Sequence, residues 1–143
     1  MGLYKGILFV SDIDRLRIID VQSAKIIQTI QVDGAKFLND IAINNNGEVY
    51  ISDTGSNQIY HFDGNTVSLW LEMNEYKKPN GLLHDGKDLL VGTAVGVVRV
   101  DESSKTQTLE IAHTGGIDGL KSIGNASYAV SDWKGKIHLL SSD

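Results

Sequence analysis

Three side chains with oxygen atoms recur at one place in a repeated phrase. Asn39, Asn80 and Asp118 each stand just ahead of an apolar stretch: Leu38-Asn39-Asp40-Ile41, Pro79-Asn80-Gly81-Leu82 and Ile117-Asp118-Gly119-Leu120. Their spacings are 41 and 38 residues. Two carboxamides and one carboxylate are hard donors of the kind that suits a divalent cation, Ca²⁺ first, with Zn²⁺ or Mn²⁺ as further candidates. A plainer reading is that Asn or Asp beside a glycine satisfies backbone groups where a loop enters a strand. Other residues group around the same positions. His113 lies in the loop leading to Asp118, where an imidazole could serve as acid or base or be a plain loop residue. Tyr76, Lys77 and Lys78 precede Asn80. Trp133 follows a strand on the same side, and is a candidate wall for a small ligand or an interface residue. His61 and His138 fall within strands, and His84 adjoins a turn at the opposite end.

The elements that must position these side chains are strands. Between Phe37 and Phe62 the chain reads strand, Asn-Asn-Asn-Gly turn, strand rich in β-branched and aromatic residues, Gly turn and strand. The phrase returns at Pro79–Thr93 and Ile117–Asp132, with a partial copy at Ile7–Asp12. Aligning Ser11, Ser52, Gly92 and Ser131 gives spacings of 41, 40 and 39. A period near 40 with about four short strands per repeat is the signature of a β-propeller blade. The expected fold is therefore all-β, one propeller domain over residues 1–143. Residues 1–31 supply three strands (Leu3–Ser11, Arg15–Val21, Lys25–Val32) and lack an innermost one. Residues 37–73 and 79–112 form full blades, and 116–143 a partial blade. Two full blades flanked by two partial ones cannot close a ring, since six blades need roughly 240 residues. A fragment of a longer protein is the first expectation. Self-association through open blade faces is the second. The recurrent Ser-Asp pairs Ser11-Asp12, Ser52-Asp53 and Ser131-Asp132 read as structural turns, and the third repeat replaces the pair by Gly92-Thr93.

Composition narrows the partners. Of 143 residues, 41% are hydrophobic and 22% charged, with a net charge of −5. An acidic chain with scattered Lys and Arg does not suit nucleic acid or an anionic membrane. No cysteine is present, which excludes disulfides, thiolate metal sites and thiol nucleophiles. The longest apolar run is too short to span a bilayer, and residues 1–10 lack the pattern of a signal peptide. The compartment is left open between cytoplasm and export. Nucleotide-binding, zinc-protease and nucleophile-elbow motifs are absent from the sequence.

The Pro79-Asn80-Gly81-Leu82 and Ile117-Asp118-Gly119-Leu120 phrases resemble those of the SMP-30/gluconolactonase family of six-bladed propellers, also called regucalcin-like. Asn39-Asp40 is similar to that family's phrase one blade earlier. The resemblance implies Asn39 and Asn80 as metal ligands, Asp118 as ligand and general base, and hydrolysis of a lactone or similar ester. It also implies a Glu ligand about two blades before Asn39, which would fall before Met1, so this chain alone is expected to be inactive. Val49-Tyr50-Ile51-Ser52-Asp53-Thr54-Gly55 resembles NHL-repeat propellers as well, which bind partners without catalysis. Two functional classes follow: a metal-dependent hydrolase, or a propeller binding a small molecule or protein at its loop face.

Overall fold

A computed structural model describes residues 1–112 and 116–141. The described residues form fifteen strands and no helix. Strands β1 (Gly2–Tyr4), β2 (Ile7–Asp12), β3 (Arg15–Asp20) and β4 (Lys25–Gln31) make the first sheet. The second comprises β5 (Leu38–Ile43), β6 (Val49–Asp53), β7 (Gln58–Phe62) and β8 (Val67–Glu72). The third holds β9 (Leu82–Asp85), β10 (Asp88–Gly92), β11 (Gly96–Asp101) and β12 (Gln107–Ala112). The fourth is β13 (Ile117–Gly124), β14 (Ser127–Asp132) and β15 (Ile137–Ser141). Each sheet is an antiparallel meander in chain order, as short Gly, Asn and Asp turns between alternating strands dictate.

The first sheet corrects the sequence reading. Leu3–Ser11 is not one strand. Lys5 (φ 45°) and Gly6 (φ 81°) turn the chain between β1 and β2, so Gly2–Tyr4 supplies the innermost strand that the sequence reading lacked. Two successive residues at positive φ are the backbone of a tight two-residue hairpin. The described residues thus form three four-stranded sheets and a three-stranded one, where the sequence reading has two full units and two partial ones.

The sheets pack face to face through three apolar seams. Phe9, Leu16 and Ile18 of the first sheet meet Leu38, Ile41, Val49, Ile51, Tyr60 and Phe62 of the second. Ala42, Tyr50 and Ile59 of the second meet Leu82, Leu89, Val91, Val98 and Val100 of the third. Leu90 and Val97 of the third meet Ile117, Leu120, Tyr128 and Val130 of the fourth. Because strand residues alternate between faces, one face of each sheet serves the seam before it and the other the seam after it. Fully burying one such Leu, Ile or Val stabilises the fold by about 1.5–3 kcal/mol.

Polar side chains stitch these seams. The Ser11 hydroxyl donates to the Asn39 carbonyl, and Ser52 Oγ donates to the Asn80 carbonyl at 2.7 Å. Both links span 28 residues, so the serine of one repeat holds the entry of the next sheet. The third repeat has no serine for a steric reason. A Cβ on Gly92 would stand 2.5 Å from Ile117 Cγ2, so that space already belongs to the neighbouring sheet. Innermost strands β1, β5, β9 and β13 together border a trough of about 490 Å³, lined by residues such as Leu3, Asp40, Ala42, Leu82, His84 and Lys121.

Candidate functional site

The loop end of the inner strands is where sequence analysis placed its candidates, and local backbone irregularity shapes it. In β13 the register skips from Ile117 opposite Asp132 to Gly119 opposite Ser131, leaving Asp118 as an extra residue. In β5 it skips from Leu38 to Ile41, across Asn39 and Asp40. Bulges of this kind re-aim a side chain out of the regular pleat. At the third entry the Asn80 N–H donates to the Gly92 carbonyl and the Gly92 N–H to the Gly81 carbonyl. Gly81 must lack a side chain there, because a Cβ would lie 2.5 Å from the Asp118 carbonyl oxygen.

The structure joins two of the three predicted residues directly. Asn80 Nδ2 donates to Asp118 Oδ1 at 3.1 Å, across the seam between the third and fourth sheets. Asn80 is buried, 3% exposed, whereas Asp118 is exposed. Asn39 is engaged elsewhere: its Nδ2 donates to Thr54 Oγ1 at 3.2 Å, and the Thr54 hydroxyl donates to the Pro79 carbonyl at 2.7 Å. Asp40, which sequence analysis passed over, accepts the Leu82 N–H on Oδ2 at 2.9 Å and so ties the second inner strand to the third. Its position beside Asn39 in a bulge is the only sequence signal that could have singled it out.

A cleft of about 360 Å³ opens beside Asn80, lined also by Thr54, Lys78, Ala94, Gly116, Ile117 and Trp133. Trp133 is 71% exposed. Its N–H donates to the Gly116 carbonyl at 3.0 Å, fixing its backbone at the rim. Lys78 adopts a positive φ of 58°, and its N–H donates to Asn57 Oδ1 at 2.8 Å, which sets the course of the loop into Asn80. Tyr76 packs against the seam between the second and third sheets and is not among the cleft-lining residues. His113 lies outside the described residues. The cleft is thus lined by an indole-bearing residue, a lysine and an asparagine whose carboxamide contacts the exposed Asp118 carboxylate.

Two of the three Ser-Asp pairs hold turns, whereas Asp12 pairs instead with the Arg17 guanidinium at 2.6 Å. Asp53 is fully buried and accepts four backbone N–H groups, from Lys36 and Phe37 and from Gly55 and Ser56, at 2.7–3.0 Å. Burial alone would raise its carboxyl, but the Lys36 and Phe37 N–H groups outweigh that and hold it below the usual carboxylate range. Asp132 does the same for Lys134 and Lys136, and its other oxygen meets His138 Nε2 at 3.0 Å. Thr93 takes over in the third repeat: its buried Oγ1 accepts the Val95 and Gly96 N–H groups and donates to the Gly96 carbonyl. Of the remaining histidines, His84 Nε2 lies 3.0 Å from Glu102 Oε1 and His61 Nε2 lies 3.6 Å from Glu48 Oε1, both in the seam between the second and third sheets.

Comparison with known proteins places the fold. No family model matches the chain, and no curated protein matches it. Solved structures do. The computationally designed Ika4 protein aligns with a TM-score of 0.73 at 11% identity, over 99% of this chain and 88% of that one. The β-propeller domain of Cps50 (Swd1) from Myceliophteria thermophila gives 0.70 at 15%, over 96% and 51%. Virginiamycin B lyase from Staphylococcus aureus gives 0.68 at 13%, over 99% and 54%. With four antiparallel sheets around one trough, the chain has a β-propeller fold. It spans about half the length of these two natural proteins. At such identities the likeness concerns fold alone. Among the described residues no helix is long and apolar enough to cross a membrane, which says nothing of β-barrels.

Proposed function

We propose that this chain is a ligand-binding portion of a propeller, taking a small polyhydroxylated ring compound in the cleft between its third and fourth sheets. The observation that carries the reading is the exposed Trp133 indole at the rim of a cleft that has the Asn80–Asp118 pair beside it. An indole face suits the C–H face of a sugar-like ring, and carboxylate and carboxamide groups suit its hydroxyls. Lys78 adds a cation for an acidic or carbonyl substituent. The gluconolactonase resemblance points to the same ligand class. Two of the similar structures are lyases by name, virginiamycin B lyase and streptogramin B lyase, so the fold hosts catalysts as well as binding modules.

The Asn80–Asp118 contact also favours a second reading, a divalent-cation site serving ester hydrolysis with Asp118 as base. The donor set fits that less well. Two carboxamides and one carboxylate supply a single negative charge, and Asn80 presents its N–H, not its oxygen, to Asp118. Among the described residues no group of three His, Asp or Glu side chains stands ready to hold a metal.

Titration with δ-gluconolactone and with glucose, followed by tryptophan fluorescence, tests the binding reading. A saturable change that is lost in Trp133→Ala and weakened at least tenfold in Asp118→Ala is expected. A response carried unchanged by both variants, or no response at millimolar ligand, would overturn it.

A further inference from the structure

The four sheets repeat one another closely enough that equivalent positions on their faces can be compared. Pairing to the aligned residues Ser11, Ser52, Gly92 and Ser131 identifies Leu16, Ile59, Val97 and Ile137 as equivalents in the third strand of each sheet. The first three are 0%, 0% and 1% exposed, because each is covered by the sheet that follows. Ile137 is 76% exposed, and Leu139 on the same face 74%. The opposite face shows the converse at the other end. Val10 is equivalent to Ile51, Val91 and Val130, all fully buried against the preceding sheet, yet Val10 is only half-buried. Leu3, which pairs with Leu8 and shares that face, is 63% exposed.

The described residues therefore carry both halves of a fourth seam, one on the first sheet and one on the fourth, and both faces are open in this structure. We propose that two copies join head to tail, the fourth sheet of one against the first sheet of the other, closing a ring of eight sheets. The occupant is a second copy because the face that Ile137 lacks is of the kind that Leu3 and Val10 present, and the internal seams show how such faces mate. A head-to-tail contact closes a ring when its rotation divides the circle, and eight blades lie within the range in which propellers close. Two such seams are related by a twofold axis through the trough. Closure would turn the open trough into a channel ringed by two sets of Asn39, Asn80 and Asp118. The inference rests on the seams and not on the ligand reading.

Light scattering coupled to gel filtration tests it on the whole chain. Twice the chain mass of 15.6 kDa is expected. Leu3→Asp and Ile137→Asp each charge one exposed face, so circular dichroism should show both variants folded. Each alone should run as a monomer, since neither retains a compatible pair of faces. Mixed together they should recover a dimer joined by one intact seam, because Leu3→Asp keeps an intact fourth sheet and Ile137→Asp an intact first sheet, while the second seam carries both aspartates. A monomeric parent chain, an open series larger than a dimer, a dimer that survives either substitution, or a mixture that stays monomeric would each overturn head-to-tail closure.

Discussion

Replacing Asp53 by alanine should remove a keystone of the second sheet without touching its apolar seams. The carboxylate is buried and holds four backbone N–H groups, two from the incoming loop at Lys36 and Phe37 and two from its own turn at Gly55 and Ser56. A hydrogen bond to a charged group contributes about 1.5–3 kcal/mol, and abandoned buried donors cost about 1–3 kcal/mol each unless water reaches them. The four share one acceptor and will not add fully, so a loss of about 4 kcal/mol is expected. Against a total stability of about 5–15 kcal/mol that is severe. At about 3 °C per kcal/mol for a chain of this size, Tm should fall by about 12 °C. Asparagine keeps one acceptor oxygen but points an amide N–H at a backbone donor, and should lose about half as much.

The pH dependence checks the cause. Because the folded-state pKa of Asp53 is depressed, its stabilisation is fully present above the unfolded value near 3.9 and fades as pH falls through the lower folded value. Urea unfolding of the parent and Asp53→Ala at about pH 7 and about pH 3 should therefore show a gap that narrows in acid. A gap below about 0.5 kcal/mol at neutral pH, or one that stays constant into acid, would refute the reasoning.

Three further substitutions probe the same frame. Gly92→Ser restores the serine of the other repeats but drives its Cβ into Ile117, whose Cγ2 would lie at 2.5 Å and Cβ at 2.8 Å, so thermal unfolding should show a loss of about 1–3 kcal/mol. Gly81→Ala forces the third inner strand away from the Asp118 carbonyl, and should cost a similar about 1–3 kcal/mol while weakening ligand binding more than Asn39→Ala does in the same fluorescence titration. Calorimetry with Ca²⁺, Zn²⁺ and Mn²⁺ should show at most weak binding, abolished in Asp118→Ala. Tight binding that survives that substitution would place an ion elsewhere, and metal-dependent hydrolysis of δ-gluconolactone lost in Asp118→Ala would move the hydrolase reading ahead.

The strand period was legible because Ser11, Ser52 and Ser131 occupy a position where one hydroxyl bridges two sheets or sits against its own inner strand. Repetition of a geometric duty leaves repetition in sequence. The break at Gly92 was visible, but its cause was not, since Ile117 lies 25 residues on and reaches Gly92 only through the seam. The first innermost strand was missed because Lys5-Gly6 is a weaker turn signal than Asn-Gly, and the apolar residues on either side read as one run. Asn80 and Asp118 share a place in the repeat, and their contact follows from both standing at adjacent strand entries. Asn39 shares that place yet turns to Thr54, a residue whose hydroxyl role no local pattern announces. The cleft itself was only half legible: Trp133 was a candidate wall or interface residue, whereas Ala94, Gly116 and Ile117, which also line it, are small or seam-buried residues brought together by sheet packing.

A nuclear magnetic resonance titration of the isotopically labelled chain with δ-gluconolactone bears most directly on the proposed site. The indole N–H of Trp133 and the side-chain amide of Asn80 should shift together and saturably, while the backbone amides of Asp85 and Gly86, in the turn after the third inner strand, stay in place. Shifts confined to that turn, or an Asn80 amide that does not respond when Trp133 does, would contradict a ligand site built on Trp133, Asn80 and Asp118.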